Sequence, residues 1–145
     1  MERARLTRYG LLSVTGDDAR EFLHAQLTRD IRALPADRAA LAGWCSAKGR
    51  LLASLMVIPA PQGFLLQLSR DLAAPVAKRL SMFVLRSKVK VADESEQWVQ
   101  DGLWDVDSDA PEVAWEGGVA TVKVGERRAL QLGPASAMTA APTAP

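Results

Sequence analysis

The chain has 145 residues, of which 48% are hydrophobic and 24% charged, and its formal net charge is +1. These values favour a folded protein over a disordered one, and they give no overall attraction to nucleic acid or to an anionic membrane. The single cysteine, Cys45, and the single histidine, His24, exclude an internal disulfide, a paired-cysteine metal site and a zinc site of several imidazoles. No apolar run is long enough to span a bilayer and no signal-type core follows the first residues, so we expect a cytoplasmic protein.

A strand over residues 9–15 and a helix starting near Asp18 are the first predicted elements. Asp18 followed by Glu21 three residues later is typical of a capped helix start. The helix is predicted to run for about three turns, because one apolar stripe continues through Phe22, Leu23, Leu27 and Ile31. Pro35 is predicted to mark its end, since proline disfavours helical geometry in the residue before it.

The centre of the fold is predicted to be a hairpin over residues 40–59, in which a small basic turn at 47–50 joins two apolar runs. Its second arm, residues 51–58, is almost continuously apolar. This pattern indicates a strand covered on both faces and central in its sheet. A turn signal at 59–63 and a further strand at 64–68 predict an antiparallel pair with that arm.

A second amphipathic helix is predicted over residues 71–86, with Asp71 as its cap and Pro75 near its first turn. Its apolar face consists of Leu72, Val76, Leu80, Phe83 and Val84. Strict alternation over residues 88–91 then predicts a strand with one wet face.

The rest of the chain is predicted to be β-rich, with a strand within residues 98–104 and then a three-stranded meander. We therefore expect an α+β fold, an antiparallel sheet with two amphipathic helices followed by a β-rich end. The domain prediction is an N-terminal module over 1–93, a continuation of the same domain over 94–133, and a mobile tail over 134–145.

Few residues suggest chemistry by themselves. Cys45 is predicted to be a small buried hydrophobe, since only Lys48 and Arg50 offer it a cationic setting. His24 lies off the apolar stripe and has no second histidine beside it, so no catalytic or metal-binding role is predicted. The turn that carries Lys48 and Arg50 has two interpretations, a solvated turn or a holder for a carboxylate or phosphate.

Two further clusters have both a structural and a functional interpretation. Arg86, Lys88 and Lys90 fit an ordinary polar sheet face, or a site for a polyanionic tail. The indoles of Trp98, Trp104 and Trp115 are predicted to be core or interface anchors rather than base-stacking platforms, because no basic stripe interleaves them. The residues alone show no nucleophile–base pair and no metal-ligand set.

Three ordered stretches resemble a known family, the YgfZ/GcvT superfamily. Residues 14–31 resemble its opening, where a strand ending in glycine leads to a helix with a Phe-Leu-x-x-Gln-Leu-Thr-x-Asp pattern, here Phe22 to Asp30. Residues 46–54 are similar to its glycine hairpin, and residues 79–91 to its later helix and strand. The three stretches follow one another in the family's order, and the resemblance covers residues 9 to about 93.

The resemblance implies a tetrahydrofolate-binding protein of the YgfZ type. In the glycine-cleavage aminomethyltransferases a pair of aspartates follows the hairpin turn, but the matching positions here are Ala53 and Ser54. Since neither side chain is a carboxylate, the resemblance implies folate binding without aminomethyltransferase chemistry. It further implies support of iron–sulfur enzymes, including one that modifies tRNA. The implied cofactor-binding residues are Ala53, Ser54 and Ser69 on the folate side, with Lys48 and Arg50 near an anionic group.

One departure from the family concerns the YgfZ signature, a later Lys-Gly-Cys-x-x-Gly-Gln-Glu segment. Residues 94–145 do not contain it, and Cys45 lies in a different part of the chain, so the chain resembles only the first part of the family. Two alternatives stay open, a folate-dependent aminomethyltransferase of the glycine-cleavage type and a non-enzymatic interaction module that self-associates. Neither a membrane partner nor direct nucleic-acid binding is expected.

Overall fold

The structure is a computed structural model that describes residues 2–107 and 109–144. In those ranges the chain forms two antiparallel five-stranded sheets and two α-helices. The helices cover one face of the first sheet, and the second sheet packs on much of its other face. This arrangement confirms the predicted α+β class.

The first sheet contains the predicted hairpin and its neighbours. Its strands are β2 (Tyr9–Thr15), β3 (Ala40–Cys45), β4 (Leu51–Ala60), β5 (Gly63–Ser69) and β6 (Lys90–Asp93). They lie in the order β3-β4-β5-β2-β6. The hairpin and the β4–β5 pair are confirmed, and β4 is internal. Val57 and Ile58 are both completely buried although they face opposite sides of β4, so the centre of this strand is covered on both faces.

The second sheet combines the β-rich end with the first residues of the chain. Its strands are β1 (Glu2–Leu6), β7 (Val99–Trp104), β8 (Val113–Glu116), β9 (Val119–Gly125) and β10 (Arg128–Gly133). They lie in the order β1-β7-β10-β9-β8, which confirms the predicted meander and adds β1, which was not predicted. After a short 3-10 helix, Ala135–Ala137, the chain returns to β1. There the Arg5 N–H donates to Pro142 O over 2.6 Å, and the Ala144 N–H donates to Arg5 O over 2.7 Å.

The first helix is shorter than its apolar stripe suggested. Helix α1 (Ala19–Gln26) ends before Leu27, so the predicted continuation to Ile31 and the predicted stop at Pro35 were wrong. The reason is a competing strand contact, because Leu27 forms a bridge with Trp44 and the Thr28 N–H donates to Gly43 O over 3.0 Å. The stripe nevertheless stays in the core, since Leu27 and Ile31 are both buried.

Polar side chains near α1 hold the loops around it. The Lys88 N–H donates to Asp18 Oδ2 over 2.8 Å, which ties the helix start to the chain before β6. The predicted capping pair does not form, because Asp18 makes no side-chain bond to the helix start and Glu21 pairs with Arg32, Nη2 to Oε2 at 2.7 Å. Helix α2 (Arg70–Ser81) ends five residues before the predicted Arg86. Neither helix, nor any other helix within the described ranges, is long and apolar enough to cross a bilayer.

Two cores hold the three layers together. The helix-side core joins the helices to the first sheet and includes Leu12, Phe22, Leu23, Val57, Leu66, Val76 and Leu80. The inter-sheet core joins the two sheets and includes Leu11, Ile58, Leu65, Val122, Leu130 and Leu132. Burial of a large aliphatic or aromatic side chain contributes about 1.5–3 kcal/mol, so these two clusters dominate the packing energy.

Candidate functional site: a groove at the end of the two sheets

A groove of about 300 Å³ opens where the two sheets separate at one end of their interface. We call it the sheet-end groove, and we define it by Leu6, Tyr9, Met56, Gln67, Trp104, Arg128 and Leu130. Its volume is at the lower end of the range of small-molecule sites, about 300–1,000 Å³. The groove therefore has room for a flat ring system rather than for a whole large cofactor.

The floor of the groove is the inter-sheet face of β4, β5 and β2. Met56 lies opposite Gln67 in the β4–β5 register, and Tyr9 lies opposite Ser69 in the β2–β5 register. Residues that are opposite each other, or two apart on one strand, share a face. All four side chains, Tyr9, Met56, Gln67 and Ser69, are therefore on the groove side of the first sheet.

A buried amide pair closes the inner end of this floor. Gln67 Nε2 donates to Gln100 Oε1 over 2.8 Å, and Gln100 Nε2 donates to Gly10 O over 3.3 Å. Both glutamine side chains are buried between the sheets, where a polar group without a partner is costly. The pair fixes the spacing of the two sheets beside the groove.

A β-bulge decides which residues of the hairpin face the groove. Ala53 is opposite Trp44 and Leu51 is opposite Cys45, so Leu52 is the extra residue in β4. As a result Leu52 and Ala53 both belong to the helix side of the sheet. Ser54 is the next residue, and its side chain is exposed on the groove side.

The structure separates the five residues that the sequence nominated for ligand binding. Ser54 and Ser69 are exposed on the same face of β4 and β5 as the groove, but neither belongs to its lining. The Ala53 side chain is only 3% exposed and packs in the helix-side core. Lys48 and Arg50 are exposed in the hairpin turn, outside the lining of the groove.

Internal hydrogen bonds complete the hairpin turn that carries Lys48 and Arg50. The Ser46 N–H donates to Arg50 O over 2.8 Å, and the Arg50 N–H donates to Ser46 Oγ over 3.2 Å. Gly49 has φ +80°, a left-handed conformation that glycine adopts without strain. The turn thus presents two cationic side chains on a defined backbone.

Sequence reasoning missed most of the groove lining. Trp104 is partly exposed on β7, and Arg128 follows the β9–β10 turn, so both come from the β-rich end. Met56 and Tyr9 look like ordinary strand residues in the sequence. The one available signal was Trp104, which the sequence singles out as a core or interface anchor, because aromatic side chains are enriched in binding sites.

The groove offers apolar faces, a phenol, the amide of Gln67 and one guanidinium. Trp104, Met56 and Leu130 provide flat apolar contact, and Arg128 provides a planar donor fork for a carboxylate. This combination suits a heteroaromatic ligand with an anionic end.

The other sequence candidates have structural settings. His24 Nδ1 accepts from the Ile31 N–H over 3.2 Å, so this side chain shapes the loop after α1. Cys45 is half-buried. Within residues 2–107 and 109–144 no cluster of three or more His, Cys, Asp or Glu side chains is arranged to hold a metal ion.

The chain is similar in sequence to two named groups of proteins, although no family model matches it. It is 32% identical over 91 residues to the tRNA-modifying protein YgfZ of Serratia proteamaculans. The aligned stretch spans 63% of this chain and 28% of that protein. It is 31% identical over 116 residues to a mitochondrial iron-sulfur cluster assembly factor IBA57 homolog of Neurospora crassa. This alignment spans 74% of this chain and 26% of that protein. The chain thus covers only about a quarter of the length of these curated relatives.

Among solved structures, the fold matches the glycine cleavage system aminomethyltransferase T of Bartonella henselae. The TM-score is 0.72 at 15% identity, over 92% of this chain and 42% of that one. At this sequence identity the match supports the fold assignment alone. The sequence relatives support the resemblance of the three ordered stretches, and the chain belongs to the YgfZ/GcvT superfamily.

Proposed function

We propose that the chain is part of a tetrahydrofolate-binding protein of the YgfZ type, and that it supplies the sheet-end groove as one wall of the folate site. The observation that carries this proposal is the groove itself. It joins an apolar slot made by Trp104 and Met56 to a guanidinium at Arg128. A reduced folate has the matching chemistry, a flat pterin and aminobenzoyl body with a glutamate carboxylate end.

The proposed roles of the nominated residues follow from their positions. Ser54 and Ser69 are proposed to contact the pterin side as hydroxyl donors and acceptors. Lys48 and Arg50 are proposed to meet an anionic group beyond the groove. Ala53 is proposed as the small neighbour behind Ser54 that lets β4 approach the helices closely.

The proposal does not include aminomethyl transfer. A serine at the position of the transferase carboxylate has no charge to act as a base or to stabilise a cationic transition state. The biological role we propose is support of iron–sulfur enzymes and tRNA modification in the cytoplasm. The link to tRNA modification and to iron–sulfur clusters is supported by the relatives, a tRNA-modifying protein and an iron-sulfur cluster assembly factor.

A titration with two ligands tests the proposal. Isothermal titration of the chain with 5-formyltetrahydrofolate is expected to give binding that Arg128→Gln weakens about tenfold, or about 1.4 kcal/mol. A tetrahydropterin without the glutamate end should bind the wild-type chain and Arg128→Gln equally.

Arg127→Gln is the matched control. Arg127 is the adjacent cation, but it is exposed and directed to Asp105, Nε to Oδ1 at 3.7 Å. It should leave both titrations unchanged. Equal losses in Arg127→Gln and Arg128→Gln, or absence of folate binding by a form that spans the whole length of the YgfZ relatives, would refute the proposed site.

A further inference from the structure

A second cleft lies at the opposite end of the interface between the two sheets. Its volume is about 250 Å³, and two indoles, one carboxylate and two hydroxyls line it. We call it the tryptophan cleft and define it by Ser13, Thr15, Gly63, Glu94, Trp98 and Trp115. We propose that the tryptophan cleft binds the cationic head of a small alkylammonium compound.

The two indoles form a corner. The rings of Trp98 and Trp115 are 6.1 Å apart between centroids and are inclined by 81°. In this edge-to-face contact the edge of one ring covers part of the other's face, and the uncovered faces beside the contact meet at nearly a right angle. These faces attract a cation because each carries negative electrostatic potential. Aromatic corners of this kind recognise quaternary and methylated ammonium groups.

Hydrogen bonds fix both rings before any ligand arrives. Trp98 Nε1 donates to Glu94 Oε1 over 2.9 Å, and Trp115 Nε1 donates to Pro59 O over 2.8 Å. Both rings also pack against the inter-sheet core. A ligand would therefore meet a preformed surface and would not have to order these side chains.

The carboxylate in the cleft is fixed as well. Glu94 Oε2 accepts from Ser13 Oγ over 2.9 Å, and the Glu94 N–H donates to Leu11 O over 2.9 Å. Each carboxylate oxygen has two lone-pair positions, so one accepted hydrogen bond per oxygen leaves capacity for a cation. Partial burial strengthens that attraction relative to bulk water.

The volume of the tryptophan cleft and the charges around it limit the class of ligand that it can bind. A cavity of 250 Å³ is smaller than a typical drug site and suits a compact head group. The nearest cation by strand register is Lys90, opposite Thr15 on the edge strand, and its exposed ammonium is screened by solvent. An ammonium without N–H groups is the best fit, because the two indole faces attract a cation without accepting a directional hydrogen bond from it.

The tryptophan cleft is independent of the proposed folate site. Strand β2 contributes Tyr9 to the sheet-end groove, and Ser13 and Thr15 to the tryptophan cleft. At about 3.3 Å per residue these positions are about 13–20 Å apart. A failure of folate binding would therefore not count against ligand binding in the tryptophan cleft.

The test uses choline chloride as the probe, followed by the indole N–H signals in two-dimensional NMR. Choline is expected to shift the signals of Trp98 and Trp115 and to leave those of Trp44 and Trp104 in place. The uncharged isostere 3,3-dimethylbutan-1-ol should bind at least about tenfold more weakly, because it has the shape without the charge.

Two neighbouring glutamates give a matched pair of variants. Glu94→Gln removes the cleft carboxylate and should weaken choline binding at least about fivefold. Glu96→Gln makes the same chemical change two residues away, where the side chain is 90% exposed and pairs with Arg70, and should change nothing. Trp115→Leu, whose folding is checked by far-UV circular dichroism, should abolish the shift at Trp98.

Three outcomes would overturn the inference. They are no shift of the indole signals at about 50 mM choline, where even a weak cation–π site is detectably occupied, equal binding of choline and the uncharged alcohol, and equal choline affinity of Glu94→Gln and Glu96→Gln. If Glu94→Gln loses the native circular dichroism spectrum, the comparison of choline with its uncharged isostere on the wild-type protein decides alone.

Discussion

Replacing Asp101 by asparagine should destabilise the protein more than any other single loss of charge in the second sheet. The Asp101 side chain is 0% exposed and bridges two arginines of β1, with Arg3 Nη1 to Oδ2 at 2.8 Å and Arg5 Nε to Oδ1 at 2.6 Å. Arg3 Nη1 also donates to Gln131 Oε1 over 2.8 Å, which extends the network to β10. The substitution keeps the shape of the side chain but places an amide N–H₂ against an arginine donor.

The magnitude follows from the burial of the three groups. Removing one partner of a fully buried ion pair costs about 3–5 kcal/mol. The arginine side chains are 16% and 27% exposed, so they keep part of their hydration after the anion is lost. We therefore expect the lower end of that range, about 3 kcal/mol in the free energy of unfolding.

Urea denaturation followed by far-UV circular dichroism measures this loss. At a slope of about 1–3 kcal/mol per molar urea, Asp101→Asn should lower the transition midpoint by about 1–3 M without changing the slope. The control is Asp105→Asn, because Asp105 is 68% exposed and its cation, Arg127, is 3.7 Å away. That variant should stay within about 0.5 kcal/mol of wild type. A loss below about 1 kcal/mol for Asp101→Asn would show that the arginines are solvated well enough without the carboxylate, contrary to the burial argument.

Two further predictions concern a glycine and a surface ion pair. Gly16→Ala should lower the free energy of unfolding by at least about 3 kcal/mol, because φ is +114° and the new Cβ would meet Lys88 O at 2.1 Å. Gly49→Ala, at φ +80° with open space around it, should lower it by only about 1 kcal/mol. Equal shifts in the melting temperature of the two variants would contradict the steric explanation. The hydrogen bond from Arg32 lowers the pKa of Glu21, so the pair stabilises the protein above the ordinary glutamate range and that contribution is lost as the pH falls through the lowered pKa. The difference in melting temperature between wild type and Glu21→Gln should therefore shrink between pH 7 and about pH 3, and a difference that stays constant would exclude this linkage.

Local patterns predicted those parts of the fold in which neighbouring residues decide the structure. The hairpin, the β4–β5 pair and the final meander each join adjacent segments through short turns, and all three were confirmed. The end of α1 could not be predicted in this way. The apolar period favours helix through Ile31, but Leu27 and Thr28 gain contacts with Trp44 and Gly43, which lie far along the chain.

Strand β1 and the groove could not be predicted from the sequence for similar reasons. Arg3 and Arg5 look like a charged, solvated terminus until their partner Asp101 is known, and that residue is 98 positions away from Arg3. In the hairpin, the bulge at Leu52 places the Ala53 side chain on the helix side of the sheet and the Ser54 side chain on the groove side. A one-residue shift of this kind changes the face of every later side chain, and alternation of hydrophobic residues does not locate it.

The pairing of β1 with β7 also has a consequence for synthesis of the chain on the ribosome. Residues 2–6 are made long before β7, and they cannot form their ladder until β7 and its carboxylate at Asp101 have been made. At about 5–20 residues per second, an interval of 98 residues leaves this arginine-bearing strand without its partner for about 5–20 s. The β3–β4 and β4–β5 pairs join much closer segments and are expected to form earlier, since contacts between distant residues slow folding. Arg3 and Arg5 keep the waiting segment soluble and discourage it from pairing with another chain, because charges on an unpaired edge oppose association.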